Sequence, residues 1–186
     1  DSSDALAENL REVDLSLPVK DHDGWMLPGT LTLPEGDGPF PAVVLVHGSG
    51  PNDRDETIYE NKPFKDLAQN LAQKGIAVYR YDKRTYVYGK DMAADMSLTL
   101  DEETVIDAAA AVSLLKNRED IDSDRVFVLG HSLGGQAIPR IHAALASAEN
   151  RAAGYIFLAA PARNLAEITR EQYDFLYSFN PVLTNT

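Results

Sequence analysis

The stretch Val126-Phe127-Val128-Leu129-Gly130-His131-Ser132-Leu133-Gly134-Gly135 decides how this chain is read. Four consecutive apolar residues, two of them valines, form the short unbroken run expected of a strand buried on both faces. Small residues then break the run, and Ala137 to Ala148 reads as a helix. The pattern G-x-S-x-G carries chemical information when it lies between a strand and a helix. In that setting Ser132 occupies a tight, strained turn, the nucleophile elbow. Gly130 and Gly134 stand at the two flanking positions where side chains would collide. The turn lifts the Ser132 hydroxyl above the sheet and aims the first amides of the next helix, that of Leu133 included, at negative charge developing beside it. His131 lies in the turn itself and lacks the geometry of a general base.

Upstream, Ala42-Val43-Val44-Leu45-Val46 is a second buried run, followed by His47-Gly48-Ser49-Gly50-Pro51. A glycine-rich turn at the carboxyl end of a neighbouring parallel strand can present a backbone N–H, here that of Ser49, to the same point. That is the second half of an oxyanion hole. Between and after these runs the elements alternate. Phe64, Leu67, Ala68 and Leu71 fall on one helix face closed by Gly75, and Ile76 to Tyr79 is a strand. Val105, Ala108, Ala109, Val112 and Leu115 stripe a helix with acidic residues at its start, and Tyr155 to Ala159 is another strand. Asn164 with Glu167 caps a last helix running to about Tyr177. At the front, Val13 to Val19 and Trp25 to Leu33 alternate about the turn Asp21-His22-Asp23-Gly24, an antiparallel hairpin. The expected fold is α/β, a mainly parallel doubly wound sheet with strands 42–46, 76–81, 125–129 and 154–159 central and the hairpin at one edge. Residues 1–10 read as a tail or linker, 11–162 as the core, and 163–186 as a helix that begins a lid or cap.

Composition narrows the function. The 186 residues carry 17 basic and 29 acidic side chains, a net charge of −12 with pI near 4.6. Such a surface repels phosphate backbones, so neither nucleic acid nor an anionic membrane is an expected partner. No apolar run approaches the ~18 residues of a membrane span. The absence of cysteine removes thiol nucleophiles, thiolate metal sites and disulfides, and leaves the compartment open.

The stretches HGSGPNDRDE (47–56), YRYDKR (79–84) and GHSLGG (130–135), in this order, resemble the α/β-hydrolases of the large bacterial esterase, lipase and serine-aminopeptidase-like group. The likeness covers roughly residues 10–162. It implies that Ser132 is the nucleophile of a serine hydrolase, acting on a carboxylic ester, or less readily an amide, through an acyl-serine intermediate. It also implies that the Ser49 and Leu133 amides form the oxyanion hole, and that His47 packs and hydrogen-bonds beneath the site. No cofactor or metal is implied, and the partner is a small-molecule ester or amide. Asp53, Arg54, Asp55 and Glu56 are candidates for the mouth of a substrate pocket, with a solvated acidic loop as the alternative; Tyr86, in a tyrosine cluster about Lys83 and Arg84, reads as strand packing plus a pocket rim.

The family order of catalytic residues is Ser, then Asp or Glu, then His, on turns after later strands. Here one strand follows Ser132, and His142, inside the next helix, rises away from it. The expectation is therefore a sheet truncated after its sixth strand, with acid and base absent. A second chain carrying the C-terminal half, or self-association, would then complete it. Two rivals remain: a non-catalytic binding protein on a hydrolase scaffold, and a dinucleotide-binding module, whose three-glycine fingerprint is incomplete after both Val46 and Leu129.

Overall fold

The computed structural model describes residues 10–93, 98–147 and 149–179. The tail at 1–9 and the end of the 163–186 segment fall outside them. A six-stranded sheet holds, in spatial order, β1 (Arg11–Asp14), β4 (Gly29–Leu33), β6 (Ala77–Tyr81), β5 (Phe40–Val46), β7 (Ile121–His131) and β8 (Gly154–Leu158). Pairings from β6 to β8 are parallel, whereas β1 and β4 join antiparallel. The helices are α1 (Pro63–Ala72), the short α2 (Arg84–Val87) and α3 (Gly89–Met92), α4 (Ile106–Lys116), α5 (Leu133–Ala144) and α6 (Leu165–Ser178). A π-helical turn over Asp101–Val105 leads into α4. This is the α/β, mainly parallel sheet expected from the sequence.

The unbroken apolar run of β5 follows from its position. Val43 and Leu45 face α1, where they meet Phe64 and Ala68, while Ala42, Val44 and Val46 face the α4 and α5 layer with Ala108, Val112 and Ile141. Alternate side chains point to opposite faces, and both faces are covered, so each position must be apolar.

Three expectations are corrected. Strand 154–159 is not central: β8 terminates the sheet, and Ile156, Phe157 and Leu158 are exposed there. The hairpin divides in two. Its outer part pairs β1 with β4, while β2 (Leu17–Pro18) and β3 (Met26–Leu27) form a ribbon of their own. Helix α5 ends at Ala144, four residues short of the expected Ala148. It springs directly from the Ser132 turn, where Gly134 and Gly135 are required by packing despite their poor helix propensity.

Buried ion pairs fasten the parts together. Arg84, fully buried, is bidentate to Asp107 on α4 (both contacts 2.7 Å) and to Asp21 in the hairpin turn (both 2.9 Å). Burial opposes its charge, but the two carboxylates outweigh that and hold its pKa above the ordinary arginine value.

Candidate functional site

The carboxyl ends of β5 and β7 lie side by side, Val46 opposite Gly130, so the turns that follow them are neighbours. Ser132 has φ 50° and ψ −113°, a conformation unusual for a residue with a side chain. Its N–H donates to the Leu158 carbonyl at 3.0 Å, which ties the turn to β8. The flanking glycines are enforced by backbone contact. A β-carbon on Gly130 would sit 2.4 Å from the Gly134 oxygen, and one on Gly134 would sit 2.4 Å from the Val46 oxygen. One on Gly135 would strike Ala160 at 2.4 Å. A β-carbon on Gly48 would lie 3.4 Å from that of Ser132, so the two turns approach closely.

Between them opens a cleft of about 270 Å³. Ser49, Ser132 and Leu133 line one side, and Ile168, Thr169 and Gln172 of α6 line the other. The Leu133 amide opens α5, where the N-terminal N–H groups of a helix favour negative charge.

The turn after β5 is braced from beneath. Glu56, almost wholly buried and at φ 52°, accepts the Gly48 N–H at 2.7 Å and contacts His131 Nδ1 at 2.9 Å. Its carboxylate thus joins the two turns that flank Ser132. Lys83, also buried, donates from Nζ to the Gly48 carbonyl at 3.0 Å and to Glu103 at 2.5 Å. His47 packs against Phe64 and edge-on to Tyr81, with ring centroids 5.2 and 5.4 Å away. Burial, reinforced by the Lys83 charge, pulls its pKa from 6.5 down to about 3, so the ring is neutral.

The proposed pocket residues lie elsewhere. Arg54 is spent on Asp82 and Thr30, its guanidinium 3.0–3.1 Å from the carboxylate oxygens. Asp53 organises its own loop by accepting from the Asp55 and Thr57 amides and the Thr57 hydroxyl. Tyr86 is an exposed side chain of α2. None of the three is among the residues lining the cleft. Each histidine is also engaged away from Ser132: His22 stacks on Trp25, His47 and His131 as described, and His142 contacts the Tyr155 hydroxyl at 3.1 Å. Sequence reasoning placed Glu56 at the mouth of a pocket and Lys83 at its rim; the structure instead puts both beneath the turn after β5, on the two sides of Gly48.

Residues 43–183 match the family model described as alpha/beta hydrolase family. Over 152 residues, 82% of this chain, the sequence is 51% identical to "Esterase EstD" of Thermotoga maritima. The chain spans about a third of that protein's length, 34%. Among solved structures it resembles esterase Est22, with TM-score 0.64 and 18% identity, over 84% of this chain and 47% of that one. It also resembles a dienelactone hydrolase from Anabaena variabilis, with TM-score 0.56 and 24% identity, over 74% and 59% of the two chains. At those identities the two structures speak for the fold alone.

Proposed function

This chain belongs to the alpha/beta hydrolase family, and from that premise we propose that it carries the nucleophile and oxyanion hole of a serine esterase. Ser132 Oγ attacks the acyl carbon of a carboxylic ester and gives up its proton to a base. The carbonyl oxygen becomes an oxyanion that accepts hydrogen bonds from the amides of Ser49 and Leu133. Collapse of the tetrahedral intermediate breaks the bond to the alkoxy group, which leaves as the alcohol on taking up a proton. Water then attacks acyl-Ser132 by the reverse sequence and releases the acid. An alcohol leaves more easily than an amine, which favours esters over amides. The 51% identity to an esterase supports the same substrate class.

The observation that carries this reading is the strained Ser132 turn, with Ser49 and Leu133 beside it in one cleft. None of the four histidines lines the cleft, so this reading draws the general base from polypeptide beyond the described residues. That polypeptide is either further sequence of the same protein or a second chain. The same arrangement gives weight to a non-catalytic binding role for the 186 residues by themselves.

A fluorophosphonate probe with an activated ester separates these readings. We expect the intact natural polypeptide to label at Ser132 and turn over the ester, with both lost in Ser132→Ala. The 186-residue chain alone should do neither above background. Ser132-dependent turnover by that chain would place the base within it and defeat the proposal of an external one. Absence of labelling in the intact polypeptide would favour the binding role.

A further inference from the structure

Lys83 is a buried cation that the acyl-transfer steps above leave without a task. It sits just beyond β6, yet it reaches the turn after β5. Its Nζ donates to the Gly48 carbonyl at 3.0 Å and to Glu103 at 2.5 Å, and its backbone N–H donates to the Asn52 carbonyl at 3.0 Å. Asn52 returns its side-chain amide to the carbonyls of Gly48 at 3.2 Å and Ser49 at 3.1 Å. On the opposite side, Glu56 accepts the Gly48 N–H. Gly48 is therefore gripped at both its backbone polar groups by buried side chains of opposite charge.

We infer that Lys83 is a positioning residue for ester hydrolysis, which by holding the Gly48 carbonyl aims and polarises the Ser49 amide that receives the oxyanion. The inference rests on the reading of Ser49 as an oxyanion-hole donor. The Gly48 C=O and the Ser49 N–H are opposite ends of one planar trans peptide. Fixing the oxygen therefore fixes where the N–H points. Without such a hold, glycine would give this peptide wide rotational freedom. An ammonium on the carbonyl also draws electron density from the amide and makes its N–H a stronger donor. With 2% of the residue exposed, solvent screens that charge little. The benefit grows as negative charge builds on the substrate oxygen, so it falls on the transition state more than on substrate binding.

The test uses the intact natural polypeptide, with active sites counted by running fluorophosphonate labelling of Ser132 to completion. The variants are Lys83→Gln, Lys83→Arg and Asn52→Ala. The readouts are kcat and KM for p-nitrophenyl acetate, and Ki for a trifluoromethyl ketone, which adds to the serine as an oxyanion. Removing a direct oxyanion donor costs roughly 10²–10³ in kcat; Lys83 acts one peptide away, so Lys83→Gln should lose about ten- to a hundredfold. KM should stay within about twofold and the ketone should weaken in parallel with kcat. Lys83→Arg should recover part of the loss. Parental kcat per titrated site in Lys83→Gln would overturn the inference, as would a loss of kcat with the ketone's Ki unmoved. If Lys83→Gln does not fold, Asn52→Ala on the half-buried loop decides. It should lose about three- to tenfold in kcat with the same parallel in Ki, and an unchanged kcat overturns the inference. Ser132→Ala in the same series separates the two layers. Turnover that survives it defeats the acyl-serine reading itself, whereas turnover that it abolishes and Lys83→Gln leaves intact defeats the role of Lys83 alone.

Discussion

The two walls of the Ser132 cleft are held by different forces. One wall, made by the turns after β5 and β7, rests on buried charge: Glu56 and Lys83 hold Gly48, and farther from the cleft Arg54 pairs with Asp82 and Arg84 with Asp107 and Asp21. The other wall is carried by the segment after β8 and by α6, elements whose large apolar side chains are mostly uncovered. Phe157, Phe175 and Leu176 are 58%, 61% and 63% exposed, and Ile168 alone is buried among the described side chains of α6. Its ion pair Arg163–Glu171 lies in solvent. Directional bonds in a water-poor interior fix atoms to a narrow range of positions, and losing one partner strands the other. Exposed apolar side chains impose no such geometry. The contrast shows where rigidity was built: under the amides beside Ser132, and not under the helix across from them.

The sharpest way to break the rigid wall is Gly134→Ala. Its β-carbon has backbone oxygens of β5 and the following turn 2.4 and 2.6 Å away, neither of which can yield without displacing the strand. We expect a loss above about 4 kcal/mol, read as an absent or strongly lowered denaturant midpoint. Next is Arg84→Met, which leaves Asp107 buried and unpaired. About 3–5 kcal/mol should be lost, against less than about 1 kcal/mol for Arg163→Ala on the open wall, both by urea denaturation. Equal costs would erase the distinction between the walls.

His47 sharpens the comparison through pH. The unfolded chain takes up a proton at this residue near pH 6.5, whereas the folded one, with the pKa near 3, does not. Stability from the neutral ring is therefore complete above 6.5 and falls as pH drops toward 3, by about 1.4 kcal/mol per pH unit. Urea midpoints followed from about pH 7 to pH 5 should decline less steeply in His47→Gln. A parallel decline would mean that the imidazole is hydrated. The smallest effect is expected on the open wall, where Phe175→Gln with Leu176→Gln should change stability by under about 0.5 kcal/mol per site. Binding of a hydrophobic dye should fall, and a large stability loss would show that this face is packed and not open.

Several features were legible because local chemistry alone imposes them. The apolar runs of β5 and β7, the helix face Phe64-Leu67-Ala68-Leu71 inside α1, and the Asn164 cap, whose side chain accepts the Ala166 N–H at 2.8 Å, all depend on neighbours a few residues away. The site was half legible in the same way. The Ser132 turn and its glycines form a continuous motif, whereas the neighbouring turn after β5 is braced by the buried side chains of Glu56 and Lys83, the latter arriving from beyond the next strand. Arg54, read as a pocket candidate, shows the converse: a charged side chain after a glycine-rich turn has no visible partner in sequence, and here its partner Asp82 arrives from just beyond β6.

Hydrophobic period, turn glycines and motif order thus determined the layered α/β sheet and the place of Ser132, because each is enforced by sterics and burial within a short span of chain. Only the tertiary structure decided which charges meet. Ion pairing acts between side chains that folding brings together across dozens of residues, so the hold on Gly48, the neutrality of His47 and the unevenness of the two walls appear only once β5, β6 and β7 lie side by side.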